Sequence, residues 1–241
     1  AFLDRSVFNV VPAYLDENRE YGRALKSRNR LLKERAAMSH LQAWDATLSK
    51  LGARLWVRRR ALLEKLSERA RAAFQRIGRS PMEATFSYAP AHLGEGLVFE
   101  TASENELAER MLSRLDERLT RDVERGFTSV GPHADDLEIR LGEKSARAFA
   151  SQGQCRALVL AWKVAEIENL QAQNGFLPLL LLDDVSSELD PERNAFLMGY
   201  LADSGAQTVL TTTDAQLVQR AAGPETKWFD VSAGTVTPRA S

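Results

Sequence analysis

Two adjacent carboxylates close a short apolar run in the last third of this 241-residue chain, where Asp183 and Asp184 follow Leu179 to Leu182. Such a run is typical of a strand buried on both faces, and ligand sites in open α/β sheets lie at the carboxyl ends of strands. One carboxylate there could hold Mg²⁺, and the other could orient or deprotonate an attacking water. A strand that simply ends in a polar turn would give the same pattern, so the two acids favour phosphate chemistry without establishing it.

A second candidate element lies upstream, in the string Ala150-Ser151-Gln152-Gly153-Gln154. A serine and a glycine at a helix start expose backbone N–H groups and a hydroxyl, and the helix dipole favours an anion beside them. Serine at this position is more often only an N-cap, so the string by itself is a weak signal. A third polar string, Ser187-Glu188-Leu189-Asp190, follows the two acids directly downstream.

The elements that must position these residues alternate between strand and helix. The sequence predicts a helix over 152–171, a strand over 177–182, a helix over 191–201 capped by Asp190, and a strand over 208–212. Such alternation indicates a parallel α/β core. Two small strands at 228–231 and 235–237 are predicted to close the chain.

The first half of the chain is predicted to be mainly helical. Apolar residues at helical spacing predict two long helices between Ala13 and Ile77, joined by a turn in the range 35–45. A strand over 84–88 and a helix over 104–125 follow. A strand over 135–141 is predicted to turn into a second strand over 146–149. We therefore expect a mainly helical lobe over 1–129, with an antiparallel hairpin at about 13–77, and an α/β core over 130–241.

The net charge of −1 is unevenly distributed. Between Arg19 and Arg79 there are 17 basic and 5 acidic residues, a local balance of +12 that leaves −13 for the other residues. Such a segment suggests a surface that faces a polyanion. Equally, it could be a solvated hairpin whose basic stems cover apolar surface. A single cysteine, Cys155, and the absence of long apolar runs indicate a cytoplasmic protein with no membrane span.

The order of the three polar strings resembles ABC-type ATPases, in which they are the signature motif, the Walker B strand and the D-loop. The resemblance implies that Asp183 serves Mg²⁺ and that Asp184 polarises the attacking water. It also implies that Ser151, Gln152, Gly153 and Gln154 complete the ATP site of a partner copy. Ser187 and Asp190 would line the same interface, and Thr213 and Asp214 stand where many ABC proteins carry a switch histidine.

Three further strings resemble the RecF family of bacterial recombination proteins. They are Phe2-Leu3-Asp4-Arg5, Gly131-Pro132-His133-Ala134-Asp135-Asp136 and Thr211-Thr212-Thr213-Asp214. Two departures stand out: Ala134 replaces a usual basic residue, and the chain contains no Gly-x-x-x-x-Gly-Lys-Ser/Thr phosphate loop (Walker A). The resemblance implies an α/β fold, the C-terminal part of an SMC- or Rad50-like P-loop ATPase head with a helical hairpin lobe. Without a phosphate loop, this chain alone is expected to be inactive as an ATPase.

The implied function is that of an ATP-dependent DNA-binding protein of recombinational repair and replication. It would dimerise on ATP and Mg²⁺ as a clamp on double-stranded or gapped DNA, and help to load recombinase with the mediators RecR and RecO. The candidate DNA contacts are Arg23, Lys26, Arg28, Arg30, Arg58, Arg59 and Arg60. The alternative is a truncated ATPase head that acts as a non-catalytic interaction or regulatory module.

Overall fold

A computed structural model describes residues 2–78 and 82–239, with the backbone alone at positions 2, 78, 187 and 188. A short helix, α1 (Phe2–Val10), precedes a helical hairpin of α2 (Tyr14–Lys33) and α3 (Met38–Gly78). The helices predicted between Ala13 and Ile77 are therefore present, and the turn lies at residues 34–37. Arg35 takes a positive φ of 50° in this turn, which reverses the chain direction within four residues.

Helix α3 is the central element of the core, and its length of 41 residues lets it contact most of the other helices. Trp56, Leu66 and Phe74 along it are fully buried. The side of α3 that they line packs against α2, α4 (Glu104–Glu117) and α7 (Gln152–Asn174). Trp162 of α7 is 2% exposed and lies 5.4 Å from Phe86, measured between ring centroids.

The predicted helix over 104–125 is divided into α4 and α5 (Leu119–Arg125) at Arg118, whose φ of −99° and ψ of 2° are not helical. Ser103 and Glu106 form a capping box that fixes the start of α4. Gly126 ends α5 in the left-handed conformation, with φ 71°, which glycine adopts without a steric penalty.

Strands β1 (Ala84–Ala89) and β2 (Asp136–Leu141) pair antiparallel, with Ala84 opposite Leu141 and Ala89 opposite Asp136. The short β3 (Lys144–Ser145) pairs with β2. The strand predicted over 146–149 is wrong, because these residues form one helical turn, α6 (Ala146–Phe149). The Ala150 N–H closes that turn by donating to the Ala146 carbonyl at 3.0 Å, and the two alanines in the turn favour a helix.

Strands β4 (Leu180–Asp183) and β5 (Thr208–Thr211) form a separate parallel pair. The turn α8 (Val185–Glu188), the helix α9 (Pro191–Ser204) and a 3₁₀ helix (Ala215–Ala221) accompany them. The prediction that 177–182 is buried on both faces is wrong. Leu180 is 8% exposed, but Leu181 and its partner Val209 on the opposite face are 71% and 54% exposed, because no described element lies over that face.

The described chain ends in an antiparallel hairpin of β6 (Phe229–Ser232) and β7 (Thr235–Pro238), close to the predicted small strands. No helix in the described ranges combines the length and the apolar character that crossing a membrane needs. The candidate site residues lie where β4, β5 and α7 end or begin.

Candidate functional site

The carboxylates of the predicted site lie at the carboxyl end of the parallel pair. Asp183 is the last residue of β4 and stands opposite Thr211, the last residue of β5. The Thr211 hydroxyl donates to Asp183 Oδ1 at 2.6 Å, which fixes the carboxylate at the sheet edge. Because Asp183 is exposed, it can still offer oxygen to an added ligand.

Asp184 follows with φ 47° and ψ 27°, a left-handed conformation that is uncommon outside glycine but more accessible to aspartate. This sharp turn directs its backbone N–H to the Thr211 carbonyl at 3.2 Å and to the Thr211 hydroxyl at 3.1 Å. Strained backbone of this kind is concentrated at functional sites. The turn takes the chain out of the sheet immediately after the two acids.

The Thr213-Asp214 segment reaches the same edge from β5. Asp214 caps the 3₁₀ helix by accepting the Gln216 N–H at 2.8 Å. The Thr212 hydroxyl donates to the Asp214 carbonyl at 3.0 Å and lies 3.2 Å from the hydroxyl of Ser186, next to the two acids. The structure therefore places Asp183, Asp184 and the Thr213-Asp214 turn at the same end of the parallel pair.

Ser151 is the N-cap of α7, and its hydroxyl accepts the Gln154 N–H at 3.2 Å. The Gln154 side chain accepts the Ser151 N–H at 2.8 Å, which completes a capping box. Ser151 therefore caps α7, which was the alternative interpretation of this string. It leaves the N–H groups of Gln152 and Gly153 without helical acceptors, at a helix start that is exposed at Ser151 and Gln152.

A residue that the sequence did not single out connects the signature string to the D-loop string. Arg193 of α9 forms an ion pair with Asp190, and a methyl group at Gly153 would lie 3.4 Å from both of its terminal nitrogens. Asp190 in turn caps α9 by accepting the Arg193 N–H at 3.0 Å, and this bond is the main reason why its pKa is lowered. A local pattern in the sequence could have indicated this ion pair, because an arginine three residues after an N-cap aspartate can reach back to its carboxylate. The Ser187 side chain lies outside the described residues.

The basic residues of α2, apart from Arg28, lie on its outer face. Tyr14, Tyr21 and Arg28 are among the buried residues of this helix. Basic residues spaced four, three, four and three apart form one exposed stripe on the opposite side. We call this set the α2 stripe, and its members are Arg19, Arg23, Lys26, Arg30 and Lys33. Two of them have weak acidic partners, because Arg19 lies 3.4 Å from Asp16 and Arg30 lies 3.8 Å from Glu34.

The structure contradicts three of the predicted DNA contacts: Arg28 and Arg59 are buried, and Arg60 is held by two backbone carbonyls. Arg28 is 0% exposed, and it donates to Asp45 at 2.5 Å, to Asp122 at 3.0 Å and to Thr128 at 2.9 Å. Arg59 is 7% exposed and lies 2.7 Å from Asp4. A guanidinium enclosed in this way cannot meet a DNA phosphate.

Arg60 is half-buried, and one of its terminal nitrogens donates to two carbonyls, at 2.5 Å to Phe99 and 2.9 Å to Ala102. Arg58 is exposed but lies 3.2 Å from Glu17. The exposed candidates without a buried partner are therefore Arg23, Lys26 and Arg30. The sequence missed this division because charge and spacing do not show which arginines have acidic partners from distant segments.

The Gly-Pro-His string is a packing centre. His133 Nδ1 lies 2.6 Å from the Tyr21 hydroxyl, and Nε2 lies 2.9 Å from the Thr128 carbonyl. Burial lowers the pKa of His133, so the neutral ring is favoured. The carbonyl of Pro132 accepts a hydrogen bond from Arg59 at 2.5 Å. These contacts join the string to α2 and α3, which accounts for its composition without a ligand.

Asp135 in the same string accepts from the Tyr88 hydroxyl and from the Ala91 N–H, both at 2.7 Å, and from the Trp56 indole. Burial raises the pKa of Asp135 despite these donors. The string thus connects β1, β2 and α3 around buried polar groups.

The donor set at the carboxylate edge suits a hard cation. Asp183, Asp184 and the hydroxyls of Thr211 and Ser186 offer oxygen ligands, which Mg²⁺ prefers. No group of three or more His, Cys, Asp or Glu side chains with metal-ligand geometry occurs among the described residues. A magnesium ion at this edge would thus take its other ligands from water and phosphate, as magnesium commonly does.

The chain is similar in sequence to RecF proteins of other bacteria. No protein-family model matches the chain. The chain is 62% identical to the DNA replication and repair protein RecF of Myxococcus xanthus, over 99% of this chain and 63% of that protein. It is 53% identical to RecF of Anaeromyxobacter dehalogenans (strain 2CP-C), over 100% of this chain and 63% of that protein. The chain therefore spans about 63% of the length of these relatives.

Solved structures agree with the sequence matches. A structure of the recombination mediator protein RecF with ATP, from the RecFOR pathway, superposes with a TM-score of 0.83 at 30% identity, over 99% of this chain and 62% of that one. A second structure of this mediator, described as RecF-ATPrS, gives a TM-score of 0.84. These matches confirm the predicted fold class.

Proposed function

Because this chain belongs to the RecF family, we propose that it forms part of an ATP-gated DNA-binding protein of recombinational repair. The observation that carries the proposal is the meeting of Asp183 and Asp184 with the end of β5 at one edge of a parallel pair. ATP is named in the description of a structurally similar RecF. The same edge is where ligand sites form in open α/β sheets.

At this edge each acid has a separate task. Asp183, oriented by the Thr211 hydroxyl, faces solvent with an oxygen available to Mg²⁺. Asp184, turned out of the strand by its left-handed backbone, orients the attacking water. Bound Mg²⁺-ATP supplies the phosphoryl group and the positive charge that stabilises its transfer. The residues of this chain position both the metal and the water.

The helix start at Ser151 would face the nucleotide of a second copy. The N–H groups of Gln152 and Gly153 and the positive end of α7 favour a phosphate. Arg193 holds the Asp190 segment against this helix start. Two copies would thereby close over shared ATP, with Ser151, Gln154 and the D-loop string at the interface.

The α2 stripe is the DNA-binding surface in this proposal. Arg23, Lys26 and Arg30 lie on the face of α2 turned away from the core. Contacts of lysine and arginine with phosphates do not depend on base sequence and weaken with salt. A clamp of two copies would present two such stripes to one duplex. RecR and RecO are the partners we propose for loading recombinase at gapped DNA.

Charge reversal tests this surface. The triple variant Arg23→Glu, Lys26→Glu, Arg30→Glu loses three phosphate contacts. The slope of log affinity against log salt should therefore become shallower by roughly 2.7. The matched control reverses two exposed basic residues outside the stripe, Arg220→Glu and Lys227→Glu, and keeps the wild-type slope. Fluorescence anisotropy with labelled duplex measures both, and an unchanged slope in the triple variant would overturn the DNA-binding proposal.

One observation favours the alternative, a non-catalytic interaction module. The sequence contains no Gly-x-x-x-x-Gly-Lys-Ser/Thr loop, which supplies the phosphate cradle and its lysine. We expect isothermal titration of this chain with Mg²⁺-ATP to give weak binding or none. Tight binding, abolished by Asp183→Asn, would show that the chain holds nucleotide by itself and would exclude the module.

A further inference from the structure

A second row of arginines lies on α4 and α5, outside the basic segment that the sequence singled out. The spacing of four, four, three and four residues places them on one side of the two helices, beside the buried face formed by Leu107, Met111 and Leu115. We call them the α4–α5 stripe, and its members are Arg110, Arg114, Arg118, Arg121 and Arg125. Among the nearby acids, Glu109 and Asp116 fall on the opposite side by helical spacing, whereas Glu117 lies beside the stripe and pairs with Arg114.

The first part of this stripe is held in place by the fold. Arg114 Nε donates to the His92 carbonyl at 2.9 Å, and Arg118 Nε donates to the Ser129 hydroxyl at 2.9 Å. The loop that Arg114 contacts also approaches closely, since a methyl group at Gly94 would lie 3.3 Å from its Nε. These bonds fix the direction of both guanidinium groups. Arg114 also forms an ion pair with Glu117, whereas Arg118 has no ion pair among the described residues.

The last part of the stripe is open to solvent. Arg121 and Arg125 are exposed, and neither has an ion pair or hydrogen bond among the described residues. Partial burial and the charges of four arginines of the stripe lower the pKa of His92. The lowered pKa of His92 therefore indicates that positive charge is concentrated around its imidazole.

The two stripes meet at one point. A methyl group at Gly126, the residue after Arg125, would lie 3.1 Å from Lys33 Cγ and 3.9 Å from Lys33 Cε. Lys33 is the last member of the α2 stripe. Leu32, Leu41 and Leu119 form a small buried cluster beneath this junction, which fixes α5 against the end of the hairpin. The end of α5 therefore lies beside Lys33, the last member of the α2 stripe.

We propose that the α4–α5 stripe is a second phosphate-binding surface, and that one DNA backbone runs from the α2 stripe across Lys33 onto Arg125 and Arg121. The inference rests on the proposed DNA-binding function and extends its contact surface. The ligand is the phosphodiester backbone of DNA, because regularly spaced guanidinium groups bind phosphate oxygens without reading bases. The α2 stripe spans 15 residues and the α4–α5 stripe spans 16. At the rise of an α-helix each is roughly 21–23 Å long, about six base pairs of contact.

The test is the double variant Arg121→Glu, Arg125→Glu in the 241-residue chain, measured with a duplex of about two helical turns, roughly 21 base pairs. Loss of two phosphate contacts makes the salt slope shallower by roughly 1.8. At low salt the affinity falls about tenfold or more. Arg121→Gln, Arg125→Gln should give a smaller loss in the same direction. Circular dichroism checks that both variants fold, and Arg220→Glu, Lys227→Glu is again the charge-matched control.

An NMR measurement provides an independent readout. Addition of the duplex should shift the imidazole signals of His92 in the wild type but not in the Arg121→Glu, Arg125→Glu variant. The signals of His133, whose two ring nitrogens are hydrogen-bonded to Tyr21 and Thr128, provide the internal reference.

The outcomes separate the two proposals. In one outcome the α2-stripe variant loses affinity, the Arg121→Glu, Arg125→Glu variant keeps the wild-type salt slope, and the His92 signals of the wild type do not shift with duplex. That result refutes the second surface and leaves the DNA-binding function standing. If neither set of variants changes the affinity, both are refuted. A shift of His92 with an acidic peptide but not with duplex would also overturn the assignment to DNA.

Discussion

Replacing Arg28 by methionine should destabilise the protein strongly, although the sequence presents Arg28 as one more basic residue of a charged helix. Its guanidinium is 0% exposed and lies between Asp45 and Asp122, whose side chains are 7% and 0% exposed. Methionine fills similar space but leaves two buried carboxylates without their cation. Breaking a buried ion pair from one side costs about 3–5 kcal/mol. This is a large part of a total stability of about 5–15 kcal/mol.

Thermal unfolding followed by circular dichroism measures the effect. For a chain of this size, about 3–5 kcal/mol corresponds to a fall in Tm of roughly 6–20 °C. The matched control is Arg23→Met, on the same helix but exposed, which should change stability by less than about 0.5 kcal/mol. Arg28→Met should leave the salt slope of DNA binding at its wild-type value, whereas charge reversal at Arg23, Lys26 and Arg30 changes it.

A second substitution tests whether the loss of stability comes from a buried carboxylate that has lost its cation. Asp122→Asn removes one buried charge and keeps a carbonyl oxygen that can accept the Ser129 N–H, now 3.2 Å from the carboxylate. In the Arg28→Met background it should recover stability, with a coupling between the two sites of about 0.5–3 kcal/mol. Unfolding of Arg28→Met at the wild-type temperature, or additive losses in the double variant, would refute the reasoning.

Three further predictions follow from the packing centre and the helix start. Because the folded pKa of His133 is lowered, the unfolded chain binds more protons below about pH 6.5. Wild-type stability relative to His133→Gln should thus fall as the pH drops from that value towards the folded pKa, as urea titrations at several pH values will show. Gly131→Ala should destabilise by about 2 kcal/mol or more, because φ is 128° and the new methyl group would lie 2.5 Å from the Tyr21 hydroxyl; unchanged urea midpoints would contradict this. Ser151→Ala should cost about 1 kcal/mol through loss of the α7 cap, and Ser151→Asp should keep most of it; equal losses in both variants would show that the cap contributes nothing.

Local patterns were enough to predict most of the elements. Apolar residues at helical spacing predicted α2, α3 and α7, and alternation predicted β1 and β2 within one residue of their bounds. These features depend on neighbours within a few positions, so periodicity and capping residues carry them. The order of the three polar strings likewise placed Asp183, Asp184 and Ser151 on the correct strand tip and helix start.

Other features depend on segments far apart in the chain. The sequence predicted β4 as buried on both faces, yet Leu181 is exposed, because burial depends on which elements lie over each face. The segment over 146–149 was predicted as a strand and is a helical turn, since four residues carry too little periodicity to separate the two. The ion pair of Arg193 with Asp190 is local, but the approach of Arg193 to Gly153 joins two elements 40 positions apart and could not be predicted.

The sequence alone predicts the set of elements, their order and the residue types that could serve a nucleotide. Which charges are available to a ligand depends on tertiary packing. Arg28 and Arg59 are enclosed by acids and hydroxyls contributed from up to 100 positions away, whereas Arg121 and Arg125 are exposed. Spacing along a helix shows on which side a charge lies. Whether another segment covers that side is settled by long-range packing, because burial and electrostatic pairing depend on distance in space and not on distance along the chain.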